Sequence, residues 1–299
     1  MSATCVVVVP VYTLELSLAE RAALLNCVSK LQNFDILLLH KSGEDIGAFL
    51  DSLELPPSQA RACRAEAIGA EWLQSVESYN ALLFQGWFYR LFKGWDYLLI
   101  VQLDAWVLGT ELGEWIDKGY TYIGAPWTRH LGPDTPDVGV GNGGFSLRCV
   151  AEMIRICESF QTRHVPVFRW RELAYRVTLF RRYHFFPASQ WPALFSKRFL
   201  LFVAMSLGWR NTLAFYSSVG IQEDHLFSIY APWVFPWIRI PTLAEAAAFS
   251  VETNPRQTCA FYQIQRPFGC HAWEKHDREF WLTSFPEEFP RALGDYEFP

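Results

Sequence analysis

No stretch of the sequence approaches the roughly 18 consecutive apolar residues that a membrane-crossing helix needs, although 51% of its 299 residues are hydrophobic. A membrane-spanning protein is therefore not expected. A Cys-x-x-Cys pair is also missing. The seven cysteines, Cys5, Cys27, Cys63, Cys149, Cys157, Cys259 and Cys270, are scattered and odd in number, which argues against both a disulfide framework and a cysteine zinc site. The opening "MSATCVVVVPVY" has no basic segment ahead of its short apolar run, so a secretory leader is not expected and a reducing, cytoplasmic setting is. There is no GxxxxGK[ST] loop, and no glycine fingerprint follows the first apolar run, so neither a P-loop nor a Rossmann dinucleotide site is indicated. Excess positive charge is absent as well. With a formal charge of -5, no nucleic-acid partner is expected.

That average conceals a segregation. Between Arg163 and Arg210 stand nine basic residues and one acid, Glu172, out of 26 basic and 31 acidic residues in the chain. The same block holds many aromatic residues, among them Trp170, Tyr183, Phe186, Trp191 and Trp209. Such a mixture suits a surface lying at lipid headgroups. The alternative is a buried helical subdomain whose arginines pair with the acidic remainder.

"CVVVVPV" and "FDILLLH" (Phe34 to His40) are unbroken apolar runs of strand length, separated by an amphipathic helical pattern from Ser17 to Leu31. Strand, helix, strand reads as a βαβ unit with a parallel sheet buried on both faces. After a helical region over Ser75 to Phe92, Tyr97 to Val101 adds another strand. The expected fold class is α/β, with a mostly parallel sheet carrying helices on both faces. "SLELPPSQA" reads as a loop, residues 160–215 as an inserted helical, aromatic and basic subregion, and 276–299 as an irregular tail behind a single domain of residues 1–275.

Four constellations could carry chemistry. Asp104 follows the run Tyr97 to Val101, at the carboxyl end of a parallel strand, where open α/β sheets bind ligands; it could equally be a turn aspartate. "VGVGNGGFSLR" offers Gly139, Gly141, Gly143 and Gly144 for positive φ or close backbone approach, and Asn142 tolerates the left-handed region. It reads as a ligand loop or as a plain turn. In "GIQEDHLFS", Glu223 and Asp224 could be helix-start charges or a general base. His271, in "RPFGCHAWEKH", could be a ligand or a hydrogen-bonded structural histidine.

In this order, strand-end acid, glycine loop, Glu-Asp pair and late histidine resemble the GT-A-fold glycosyltransferases. The segments "SVESYNALL", "YLLIVQLDAWVL", "YIGAPW", "GNGGFSLR", "EDHLF" and "PFGCHAW" are similar to a family of mostly uncharacterised GT-A-like proteins, a domain of unknown function. The likeness spans residues 5 to 275. It implies a glycosyltransferase moving a sugar from a nucleoside diphosphate to a hydroxyl, with inversion, in surface polysaccharide or glycan assembly. By the same resemblance Pro10, Tyr12 and Asn80 border the nucleotide, Gly141, Asn142, Gly143 and Gly144 the sugar, and Trp127 could stack on a sugar ring or simply edge the core. Gln102 and Asp104 form a reduced DxD motif, written here QLD, in which Asp104 alone brings metal charge. Asp104 and His271 are the implied ligands of a divalent cation, Mn or Mg, and Asp224, with Glu223 second, is the implied base. The implied partners are a nucleotide-sugar donor and a glycan or lipid-linked acceptor, and peripheral contact at the inner membrane surface would run through residues 163–210.

Two rivals remain at this level. A non-catalytic carbohydrate-binding protein on the same fold would account for the incomplete DxD. A sugar nucleotidyltransferase would need a basic glycine-rich loop after the first strand, and "PVYTLELS" has none.

Overall fold

The structure, a computed structural model, describes residues 3–127, 139–162 and 221–289. The chain divides into two compact units, Met1–Ile154 with Glu223–Pro299, and Arg155–Gln222. The expected basic block, 163–210, lies outside the described residues, as does most of the expected insertion.

Strand β1 (Cys5–Val11) has all seven residues buried, as an unbroken β-branched run in the middle of a sheet must. Helix α1 (Leu18–Lys30) starts at a capping box: the Glu20 amide donates to Ser17 Oγ and the Ser17 amide donates to Glu20 Oε2. Two of the orphan N–H groups at the helix start are thereby satisfied. Strand β2 (Asp35–Lys41) follows, then helices α2 (Ile46–Ser52) and α3 (Pro57–Ala62) and strand β3 (Cys63–Ile68). The segment read as a loop thus contains most of a helix and leads directly into an edge strand. Short helices α4 (Val76–Leu83) and α5 (Gly86–Arg90) precede β4 (Tyr97–Val101). After β5 (Trp106–Val107) and α6 (Leu112–Asp117) come β6 (Tyr122–Gly124), β7 (Phe145–Cys149) and α7 (Val150–Thr162).

The main sheet has the order β3-β2-β1-β4-β7-β6. The first four strands pair in parallel, and β7 runs antiparallel to both β4 and β6. From β1 the chain winds outward on one side through β2 and β3, then crosses to the other side with β4. The topological switch lies between the carboxyl ends of β1 and β4, the place where open sheets of this kind leave a crevice.

A second, small sheet has the order β5-β9-β8, with β8 at Ser250–Val251 and β9 at Gly269–Cys270. Its register gathers acids and a histidine at one edge. Val251 pairs with Cys270 in parallel, so the next residues, Glu252 and His271, emerge side by side. Trp106 pairs with Cys270 in the antiparallel sense, bringing Asp104, two residues before β5, to the same edge.

Residues 276–289 are not a tail. Arg278–Ser284 is a helix, and Trp281, Phe285 and Phe289 are buried with Trp106 and Trp273 in one apolar cluster. Phe289 stacks on Trp106 with ring centroids 4.4 Å apart, and Glu288 bridges Lys30 and Arg266. Prolines and acids in this segment suggest irregularity, but its aromatic residues find the core.

Candidate functional site

A cavity of about 450 Å³ opens at the switch point. It is lined on the β1 side by Pro10 and Tyr12, on the β4 side by Gln102 and Asp104, and elsewhere by Lys41, Tyr79 and the turn leading into α4. Lys41 ends β2 and donates from its ammonium group to the Tyr12 carbonyl, so one cation and one carboxylate share the cavity wall. Tyr12 also donates from its hydroxyl to Glu20. Asn80 is not part of this lining. Its Oδ1 accepts from the Glu223 backbone N–H at 2.6 Å.

Asp104 and His271 meet: His271 Nε2 lies 3.1 Å from Asp104 Oδ1 and 3.0 Å from Gln102 Oε1. His271 Nδ1 lies 3.1 Å from Glu252 Oε1. A carboxylate can only accept, so both ring nitrogens donate and the imidazole is held as a cation. Burial opposes this charge, but the charge of Asp104 and the hydrogen bonds to Asp104 and Glu252 outweigh it, and the His271 pKa is pushed up to about 10. Burial likewise works against the Asp104 carboxylate, yet His271 pulls it below its ordinary value.

This bears on the expected metal site. Asp104 and His271, the two residues expected to hold a divalent cation, stand side by side, and His271 Nε2 would give up its proton on binding one. Among the described residues no group of three or more His, Cys, Asp or Glu side chains is arranged to hold a metal ion. Asp104 keeps 44% of its side chain exposed, which leaves carboxylate surface for a ligand. A cation that shares a diphosphate needs only one or two protein carboxylates.

The glycine loop is shaped by the protein's own packing. Gly139 and Gly141 adopt positive φ (145° and 129°), but Gly143, Gly144 and Asn142 do not. Gly143 and Gly144 are needed for a different reason: a Cβ on Gly143 would come within 2.5 Å of Glu223 Oε1, and one on Gly144 within 2.0 Å of His271 Nε2. Asn142 contributes its side chain instead of a left-handed backbone. Its Oδ1 accepts from the Gly144 amide, and its Nδ2 donates to Glu252 Oε2, both at 2.9 Å.

Glu223 and Asp224 divide cleanly. Glu223 Oε1 accepts from Arg148 Nη2 at 2.7 Å, and Arg148, fully buried, also donates to Tyr89 Oη and Ser146 Oγ. Asp224 is buried as well, with its Oδ1 taking the His225 amide at 2.6 Å. Burial and the adjacent Glu223 charge raise Asp224 well above the carboxylate range, against the opposing pull of the His225 amide and Arg148. Trp127 sets its ring edge-on to His225, the residue after this pair, with centroids 4.5 Å apart.

Sequence reasoning missed Lys41, Arg148 and Glu252. Arg148 carried a signal, since a guanidinium inside the buried strand "FSLRC" demands an acid partner. Glu252 follows a two-residue strand, too short to show any periodicity.

Residues 62–271 match the family described as "Protein of unknown function (DUF5672)". The chain belongs to that family. The DUF5672 match ends at His271 and encloses Gln102, Asp104, the glycine loop, Glu223, Asp224 and Glu252. Curated proteins provide no match. Among solved structures, the chain is similar to the apo form of mouse xyloside xylosyltransferase 1 (13% identity, TM-score 0.44), covering 90% of this chain and 97% of that one. It is also similar to the apo WbbM bifunctional glycosyltransferase (12% identity, TM-score 0.42), covering 96% of this chain and spanning 50% of WbbM. No helix among the described residues is long and apolar enough to cross a membrane.

Proposed function

We propose that this protein transfers a sugar from a nucleoside diphosphate donor to a hydroxyl acceptor, with inversion. The observation that carries this reading is the cavity at the β1/β4 switch point, walled by Pro10, Tyr12, Gln102 and Asp104, with Lys41 on the same wall as the carboxylate. The nucleoside would occupy that cavity and the diphosphate would lie toward Asp104. The sugar would face Gly141 to Gly144. Asp224, the carboxylate not committed to Arg148, would take the acceptor proton as the hydroxyl oxygen attacks the anomeric carbon. The bond from that carbon to the diphosphate oxygen then breaks, and the diphosphate leaves with the electron pair. A base with a raised pKa suits this task near neutral pH. A Mn or Mg ion entering with the diphosphate would be held by Asp104 and His271 and would neutralise the leaving group's charge.

The proposed partners are a nucleotide-sugar and a glycan or lipid-linked acceptor. Peripheral contact with the anionic inner leaflet, in a cytoplasmic setting, would run through residues 163–210.

A second reading, a donor-binding protein without transfer, is favoured by one observation: Gln102 stands where the first acid of DxD would be, and its Oε1 faces His271. Calorimetry with UDP, GDP, ADP and CDP and their sugars, in manganese and in EDTA, tests the shared part of both readings. Binding of at least one is expected. If none binds, both fall; binding without donor hydrolysis or transfer leaves the second.

A further inference from the structure

Five residues from four separate stretches close a hydrogen-bonded ring. The Gly144 amide donates to Asn142 Oδ1 (2.9 Å) and Asn142 Nδ2 to Glu252 Oε2 (2.9 Å). Glu252 Oε1 meets His271 Nδ1 (3.1 Å), His271 Nε2 meets Gln102 Oε1 (3.0 Å), and the Gln102 amide donates back to the Gly144 carbonyl (2.9 Å). The orientation of each group is settled by its neighbour. An amide N–H only donates, so Asn142 must turn its oxygen to Gly144 and its NH₂ to Glu252. Glu252 then receives from both sides. Its side chain is 13% exposed, so both links are largely shielded from competing water.

We propose that Glu252 is a positioning residue for donor binding: it clamps the glycine loop to the Asp104–His271 edge, so that the sugar-facing and diphosphate-facing walls form one rigid surface. The proposal rests on the donor-binding reading above. Its chemistry needs a carboxylate at this position. Two donors converge on residue 252, and glutamine offers one acceptor and one NH₂, so Glu252→Gln either sets a donor against a donor at one link or makes His271 Nδ1 give up its proton and accept. Aspartate keeps two acceptors but shortens the span by a methylene. Gly144 completes the device, since any side chain there would collide with the His271 ring that Glu252 holds.

The test begins with protein free of ligand. NMR of the full chain follows the exchange rate of the Gly144 amide and the downfield Nδ1–H signal of His271, alongside the melting temperature. In Glu252→Gln the Gly144 amide is expected to exchange about tenfold faster or more and the His271 signal to be lost, with the global melt largely retained. Glu252→Asp should recover part of both signals. Unchanged Gly144 exchange and an unchanged His271 resonance in a folded Glu252→Gln variant would overturn the clamp. If that variant does not fold, Asn142→Ala, which cuts the same ring on the loop side, must give the faster Gly144 exchange or the clamp is wrong. Calorimetry with the nucleoside diphosphate that the wild type binds then asks whether Glu252→Gln weakens it by about tenfold. Equal affinity removes the link to donor binding, whereas failure of the wild type to bind any nucleotide sinks the donor reading and leaves the clamp standing.

Discussion

Arg148 Nη2 lies 2.7 Å from Glu223 Oε1, with side-chain exposures of 0% and 7%, so a full ion pair is sealed between β7 and the helical turn that begins at Glu223. The pair engages one of two adjacent acids and not the other. Glu223 is spent on holding the turn, with its own N–H on Asn80, and Asp224 is left outside the ion pair.

Breaking such a pair from one side leaves an uncompensated buried charge, a cost of about 3–5 kcal/mol. Glu223→Ala and Arg148→Met should each lower the urea-derived stability by about that amount. The double variant Arg148→Met with Glu223→Leu should recover much of it. A single-variant loss below about 1 kcal/mol, the range of surface pairs, would show that the charges are not sealed as described.

Asp224→Asn should bind the nucleoside diphosphate as the wild type does and lose about 10²-fold or more in transfer at saturating donor, the usual scale for a general base. Normal transfer in this variant would remove Asp224 from the mechanism.

How much of this was legible beforehand depends on burial. β1, β2 and β4 were readable because most of their side chains are buried, leaving apolar runs in the sequence. β3 was not, because an edge strand with the sequence Cys-Arg-Ala-Glu-Ala-Ile alternates exposed residues and looks like any polar loop. The catalytic candidates were legible as residue types at strand and loop ends, but their partners were not. Arg148 and Glu223 are 75 residues apart, and Asp104 reaches Glu252 only through a three-stranded ribbon with two residues per strand. Glycines were legible as special, and Gly139 and Gly141 do use positive φ. Gly143 and Gly144 are special because Glu223 and His271 press against them, a fact about tertiary packing that a local reading cannot supply.

The ion pairing of His271 predicts a pH dependence of defined sign. Its folded pKa, about 10, lies above its ordinary 6.5, so the stability it contributes is fully present below pH 6.5 and is lost as pH rises toward 10. The difference in melting temperature between wild type and His271→Gln should therefore shrink between pH 7 and pH 10. Asp104→Asn, which removes a principal partner, should make the wild-type slope shallower while leaving the protein folded and weakening nucleoside diphosphate binding. A constant difference across that range would show that His271 is not held as a cation.

The basic block at 163–210 predicts salt-sensitive adsorption to anionic vesicles. Each basic residue near such a surface contributes about 1 kcal/mol, screened by salt. Changing Arg181, Arg182, Lys197 and Arg198 together to glutamine should weaken cosedimentation at low ionic strength. Binding indifferent to the four changes would assign the arginines to internal pairing.

Glu274 is an acid that the fold tolerates at a cost. Its Oε1 is buried and meets no hydrogen-bond partner among the described residues. Burial, with the charges of Asp104 and Glu20 added and Arg278 opposing, raises its pKa from 4.5 to about 7. A carboxylate whose folded pKa is raised destabilises the protein above its unfolded pKa, and the penalty grows until the pH passes the folded value. At pH 8 the wild type therefore carries the whole penalty, and at pH 4.5 almost none. Glu274→Gln keeps the size of the side chain and removes the charge. It should raise the melting temperature at pH 8 and change it little at pH 4.5. The sign of the pH trend is what matters: a stabilisation equal at both pH values would trace to packing, and a destabilisation at pH 8 would mean that Glu274 has an anionic role beside Asp104.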